Sequence, residues 1–121
     1  MMRLAVAVAA LALAATPAFA DDWDFVLINN SGKEIKLIEI SPTGAEKWAK
    51  NRVDEGVAVA ASIKPSGRMT VHFDKDGSQC RYDVRGTFMD DTNAVWANIN
   101  VCDNAYVTIK FAGDKPTFTA N

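Results

Sequence analysis

The chain is poor in the residues that do chemistry. It has one histidine, His72, and two cysteines, Cys80 and Cys102, among 121 residues. Structural zinc takes four ligands, chiefly thiolate and imidazole, so two thiols and one histidine disfavour a zinc centre. The cysteines are not spaced as C-x-x-C, which removes the usual signature of a thiol redox enzyme. No G-x-S-x-G occurs. Nothing in the sequence sets a serine and a carboxylate beside His72, as a nucleophilic triad requires. Charge of one sign is scarce too: 13 basic and 15 acidic residues leave a net charge of −2. Such a chain has no electrostatic case for nucleic acid or an anionic membrane. No cofactor is assigned.

Long apolar runs are absent beyond the first twenty residues. Arg3 supplies a positive start, and Leu4 to Ala15 is an apolar run too short for a stable membrane span. Ala18-Phe19-Ala20 reads as a small-residue cleavage site, with cutting expected before Asp21. Residues 1–20 are therefore expected to be a cleavable signal peptide, and residues 21–121 the mature chain. No cysteine follows the apolar run, so a lipid anchor at the new N-terminus is not indicated. About a hundred residues make one domain. The expected location is periplasmic or secreted.

What is present is period-2 alternation, the mark of strands with one buried face. Trp23 to Asn29 is the first expected strand. Glu34 to Ser41 is the second, with either two buried faces or a bulge, because Ile35 and Leu37 oppose Ile38 and Ile40. In Arg68 to Asp74, Val71 and Phe73 share a face. In Cys80 to Arg85, Cys80, Tyr82 and Val84 share one. Asp76-Gly77 between these two runs predicts a β-hairpin over Arg68 to Arg85, since Gly accepts the positive φ of such turns. The second run is expected to continue past a kink at Gly86. Ala94 to Val101, Tyr106 to Phe111 and a short edge strand near Thr117 to Thr119 complete the set. Ala45 to Arg52 suits one or two turns of helix, with Trp48 as its buried anchor. Val53 to Ser62 fits helix, strand or covered loop. The expected fold is all-β: a small antiparallel β-sandwich or partly open barrel of about seven strands, with one short helix and one disulfide.

The disulfide is Cys80–Cys102, because an exported chain with two cysteines normally oxidises them. It closes a loop of about 23 residues, worth roughly 3 kcal/mol on the chain-entropy model.

The order of several short motifs resembles a family of small exported proteobacterial proteins. The motifs are Phe25, Leu27 and Asn29 (F-x-L-x-N); Ile40, Ser41 and Pro42, with Trp48 a little later; Pro65 and Gly67; Cys80, Tyr82 and Asp83; and Asn100 and Cys102. The resemblance covers about Phe25 to Phe111. It implies a compact, disulfide-linked β-domain without an established activity. Some members carry the label argininosuccinate lyase. That label is rejected here: the enzyme is a large helical tetramer, and its S-x-x-M-P-x-K loop is absent.

The remaining candidate chemistry is local. His72 shares a strand face with Thr70 and Asp74 and is expected to face solvent. Asp74-x-Asp76-Gly77 resembles part of an EF-hand loop but lacks its later acidic ligands, so it is read as a turn. No metal is assigned; if one were held, Asp90, Asp91 and Asn93 would be the candidate calcium ligands, although Asp and Asn favour turns for local reasons alone. Glu46 and Asp83 are the carboxylates to consider for glycoside hydrolysis, and Asp83 is expected to pair with Arg81 or Arg85 instead. Trp96 and Trp48 are the candidate interaction surface, unless Trp96 lies under the Ala45–Ser62 segment. The favoured function is a non-catalytic binding domain with an envelope or protein partner. The alternatives are a calcium- or small-ligand-binding module and a small hydrolase. In a glycosylating host, Asn29-Asn30-Ser31 would be a sequon.

Overall fold

A computed structural model describes residues 21–51 and 62–121. The expected signal peptide and the ambiguous 53–61 stretch lie outside the described residues. Eight strands form two four-stranded sheets. They are β1 (Asp21–Asn30), β2 (Ile35–Pro42), β3 (Ala49–Lys50), β4 (Arg68–Lys75), β5 (Arg81–Phe88), β6 (Asn93–Asn100), β7 (Tyr106–Ala112) and β8 (Lys115–Ala120). One sheet runs β4-β1-β7-β8 and the other β3-β2-β5-β6. Pairing is antiparallel except for β1 with β7, which is parallel. The result is an all-β sandwich rather than a closed barrel, with no helix among the described residues.

The alternation decides which side chains are inside. Phe25, Leu27, Val71, Phe73, Val107 and Ile109 point inward from the first sheet, and Ile38, Ile40, Tyr82, Val84, Trp96 and Ile99 from the second. Each fully buried side chain of this size contributes about 1.5–3 kcal/mol relative to exposure. In β2 the conflict between Ile35 and Ile38 is resolved by a bulge: the pairing with β5 shifts between Ile35 and Leu37, and Ile35, Ile38 and Ile40 all turn inward. Gly86 makes no kink. β5 runs through it to Phe88, and a Cβ there would stand 3.3 Å from the Trp96 ring. The glycine makes room for the largest core side chain.

The expected hairpin over Arg68 to Arg85 is not formed. β4 pairs with β1, while β5 pairs with β2 and β6 in the other sheet. The inward faces were read correctly and their partners were not. Asp76 to Cys80 is an arch that carries the chain between sheets. Gly77 does not adopt the positive φ of a tight hairpin turn, and the Gln79 N–H closes an ordinary turn on the Asp76 carbonyl at 2.8 Å. The two inward faces meet across the core, so Phe73 and Tyr82 pack edge to face with centroids 4.9 Å apart. A hairpin would have set them side by side in one sheet.

The expected helix from Ala45 is also absent. Residues 43–45 turn, and Ala49–Lys50 adds to the edge of β2. Local propensity is overridden by hydrogen bonds from the sheet, since the Ser41 Oγ accepts the Lys47 N–H at 2.9 Å. Trp48 is half-buried rather than a core anchor, and Arg85 stacks over it with Cζ 4.4 Å from the ring centroid.

Asn51 then ties the two sheets at this edge. Its own N–H bonds the Ile38 carbonyl of β2. Its side-chain carbonyl accepts the His72 N–H at 2.7 Å, and its amide donates to the Thr70 carbonyl at 3.4 Å. One side-chain amide thus replaces a peptide group along the exposed edge of β4, a position that otherwise invites pairing with another chain.

Candidate functional site

Most residues of the sequence motifs serve the loops. Asn29 is fully buried on the inward face of β1, in line with Phe25 and Leu27. Its amide donates to the carbonyls of Lys33, Ile63 and Lys64 at 2.7, 3.0 and 3.3 Å, and its Oδ1 accepts the Ser31 N–H at 3.1 Å. One side chain therefore joins the β1–β2 turn to the loop before β4. Burial closes Asn29 to glycosylation. Gly67 belongs to the same junction: its carbonyl accepts the Asn29 N–H, and a Cβ there would stand 2.9 Å from the Lys64 carbonyl oxygen.

Asp83 does not pair with Arg81 or Arg85. It is buried, and its carboxylate accepts the Thr43 hydroxyl at 2.9 Å, the Gly44 N–H at 3.2 Å and the Asn98 N–H at 2.9 Å. Asn98 sits at φ 64° where the β5–β6 register shifts. The carboxylate supplies the acceptor that the bulged strand lacks and holds the β2–β3 loop against β5. Arg85 turns to Glu39 instead, at 3.0 Å. Glu46, its suggested catalytic companion, is exposed in that loop. Asn100 shapes the next turn, its Oδ1 accepting the N–H groups of Cys102 and Asp103.

Cys80 and Cys102 are bonded, with Cα atoms 5.3 Å apart. The bond joins two connections that both cross between sheets, the β4–β5 arch and the β6–β7 link. Trp96 is 1 % exposed, which removes it as an interaction surface. It packs in the core against Phe88 and Phe111, and its Nε1–H bonds the Lys110 carbonyl at 3.0 Å. The exposed side of β6 carries Val95 and Ala97 instead. The exposed large apolar side chains Met89, Val95 and Tyr106 stand on different elements.

The Asp90–Asn93 turn gathers no metal cage. The Thr92 hydroxyl and then its N–H hold the Asp90 carboxyl below its usual range. Asp91 pairs with Lys36. Among the described residues no three acidic, histidine or cysteine side chains converge as metal ligands. His72 is half-buried, with Nδ1 3.7 Å from Asp24 Oδ2.

Concavities among the described residues are the remaining candidates. At the disulfide end, Asp22, Trp23, Asp24 and residues 101–105 line a groove of about 390 Å³. Its tryptophan is already engaged: Lys75 Nζ lies 5.0 Å from the ring centroid, and Nε1–H bonds the Val101 carbonyl. Near the β7–β8 turn, Lys33, Phe88, Asn93, Phe111 and Pro116 help to line a groove of about 420 Å³, where Lys33 is stacked on Phe88. A third is more enclosed than these two, at about 240 Å³. It opens between the sheets beside the arch. Ile40 and Pro42 of β2, Ala49 and Lys50 of β3, Tyr82 of β5 and Lys47 line it from the second sheet and its loop; Phe73 and Asp74 of β4 and Asp76 of the arch line it from the first. Its floor is apolar and its rim carries both signs of charge. The Tyr82 hydroxyl accepts the Asp76 N–H at 3.0 Å. Burial pushes the phenol's pKa up; the Asp76 N–H opposes this, and the Asp76 charge adds to it. His72 lines none of the three. Sequence reasoning missed this cleft because Lys47, Lys50 and Asp76 share no local pattern. The inward-phase position of Asn29 was the legible signal for its junction.

The geometry defines a two-sheet β-sandwich stapled by one disulfide between its crossovers. No family model matches the chain, and no curated protein matches it. It is similar to an NMR structure of a protein from Eubacterium rectale, with a TM-score of 0.54 and 16% identity, over 82% of this chain and 87% of that one. At that identity the likeness is one of fold.

Proposed function

We propose that the chain is an exported, non-catalytic binding domain and that it takes its ligand in the cleft between β2–β3 and the β4–β5 arch. The observation that carries this reading is the cleft itself: an apolar floor of Ile40, Pro42, Phe73 and Tyr82 under a charged rim, built from both sheets. Binding sites combine apolar lining with a few placed polar groups in this way. The side chains that would otherwise suggest catalysis support it from the other direction, because Asp83 is occupied by two donors of the β2–β3 loop and one of the β6 bulge. Export is supported by the leader-like start and by a disulfide suited to an oxidising compartment. Kinship with the small exported proteobacterial proteins belongs to the same reading.

The test is thermal unfolding of the processed chain against envelope sugars, small acids and short peptides. A ligand at a hundred times its dissociation constant adds about 2.7 kcal/mol, a rise on the order of 10 °C for this size. Ala49→Trp fills the cleft mouth from an exposed position and is expected to abolish the rise. A rise that survives Ala49→Trp, or a flat response to the whole panel, contradicts the reading.

A further inference from the structure

The cleft's two sides differ in sign. Lys47 and Lys50 stand on the β2–β3 side, and Asp76 on the arch side. Their backbones are held in place. The Lys47 N–H is bound by Ser41, Lys50 is paired with Glu39 in the sheet, and the Asp76 N–H is bound by Tyr82. A ligand with one charge is attracted by one side and repelled by the other. A ligand with a carboxylate at one end and an ammonium at the other matches both. The Tyr82 hydroxyl oxygen accepts the Asp76 N–H, and among the described residues the hydroxyl donates no hydrogen bond of its own. A peptide carbonyl lying over the apolar floor would accept one. The volume, about 240 Å³, falls below the range of about 300–1,000 Å³ common for drug-sized ligands.

We infer that the cleft selects a short apolar peptide with both termini free, its carboxylate toward Lys47 and Lys50 and its ammonium toward Asp76. This rests on the reading of the cleft as the binding site.

The test uses the full chain, expressed with its own leader so that the host processes it, and follows amide resonances during titration. The probes are Leu-Leu, N-acetyl-Leu-Leu, Leu-Leu-amide and N-acetyl-Leu-Leu-amide, which share one body and differ only in end charge. Leu-Leu is expected to perturb the amides of Lys47–Lys50 and of Asp76–Tyr82. Masking either terminus should weaken binding about threefold, and masking both about tenfold, given the modest strength of exposed ion pairs. Lys47→Glu with Lys50→Glu, both at exposed positions, should remove the preference for a free carboxylate and keep the preference for a free ammonium. If the masked peptides perturb the same amides with equal affinity, the peptide-terminus inference is overturned while the cleft stands as the site. If none of the four perturbs those amides, the inference is overturned and the cleft is judged on the wider ligand panel alone.

Discussion

Asn29→Ala is expected to destabilise the protein by about 3 kcal/mol or more. The amide serves the Lys33, Ile63 and Lys64 carbonyls, and the side-chain oxygen serves Ser31. An alanine removes all of these bonds at a fully buried position, although the Ile63 and Lys64 carbonyls keep the N–H groups of Ile35 and Gly67. Each hydrogen bond so lost is worth about 0.5–1.5 kcal/mol, and the emptied volume adds to the cost. A domain of this kind has about 5–15 kcal/mol in total, so the loss is a large share of it. Urea unfolding of both proteins measures it directly. A midpoint near that of the wild type would show that the two loops are held by something else.

Breaking the disulfide is the second large change. The pair Cys80→Ala with Cys102→Ala is expected to lower stability by roughly 3 kcal/mol, the value for a loop of this length, and the melting temperature by more than about 10 °C. The position makes the effect more than a chain-length matter. The bond ties the β4–β5 arch to the β6–β7 link, so its loss lets two inter-sheet crossovers separate at one end of the sandwich. The Val101 N–H to Cys80 carbonyl bond at 2.9 Å and the adjacent pairing of Arg81 with Asn100 remain to hold them. Differential scanning calorimetry reads the change. A shift of only a degree or two would mean that these contacts and the packing of Phe73 on Tyr82 suffice.

The two predictions share a reason with what was and was not legible in the sequence. Period-2 alternation identifies the inward sets of β4, β5 and β7 because a strand's two faces are a local property, whereas in β1 Phe25 and Leu27 alternate against Val26 and Ile28 and leave either face open. It could not say which strands were neighbours. The Asp76-Gly77 pair signals a turn, yet a turn can fold two apolar faces into one sheet or set them opposite each other in two. Here the second arrangement buries Phe73 against Tyr82, and the signal for it lay in strands remote in sequence. Trp96 shows the same limit: its alternation with Val95 and Ala97 was plain, but the pattern alone did not say which face was inside. Ala45 to Arg52 has helix-forming residues, and the bonds from Ser41 and Asp83 that hold this region outside a helix come from the neighbouring sheet. The cleft was the least legible feature, since its charges come from the β2–β3 connection and the β4–β5 arch.

The polar residues of the motifs hold the loops, and the proposed binding is left to the cleft. Asp83 tests this most directly, because it is the carboxylate that catalysis would most naturally have used. Urea unfolding of Asp83→Asn keeps the size of the side chain and sets an amide NH₂ against the Gly44 N–H, which the carboxylate now accepts at 3.2 Å. A loss of about 1–3 kcal/mol with an unchanged slope in urea is expected. A variant as stable as the wild type would contradict this and return Asp83 to the candidates for chemistry.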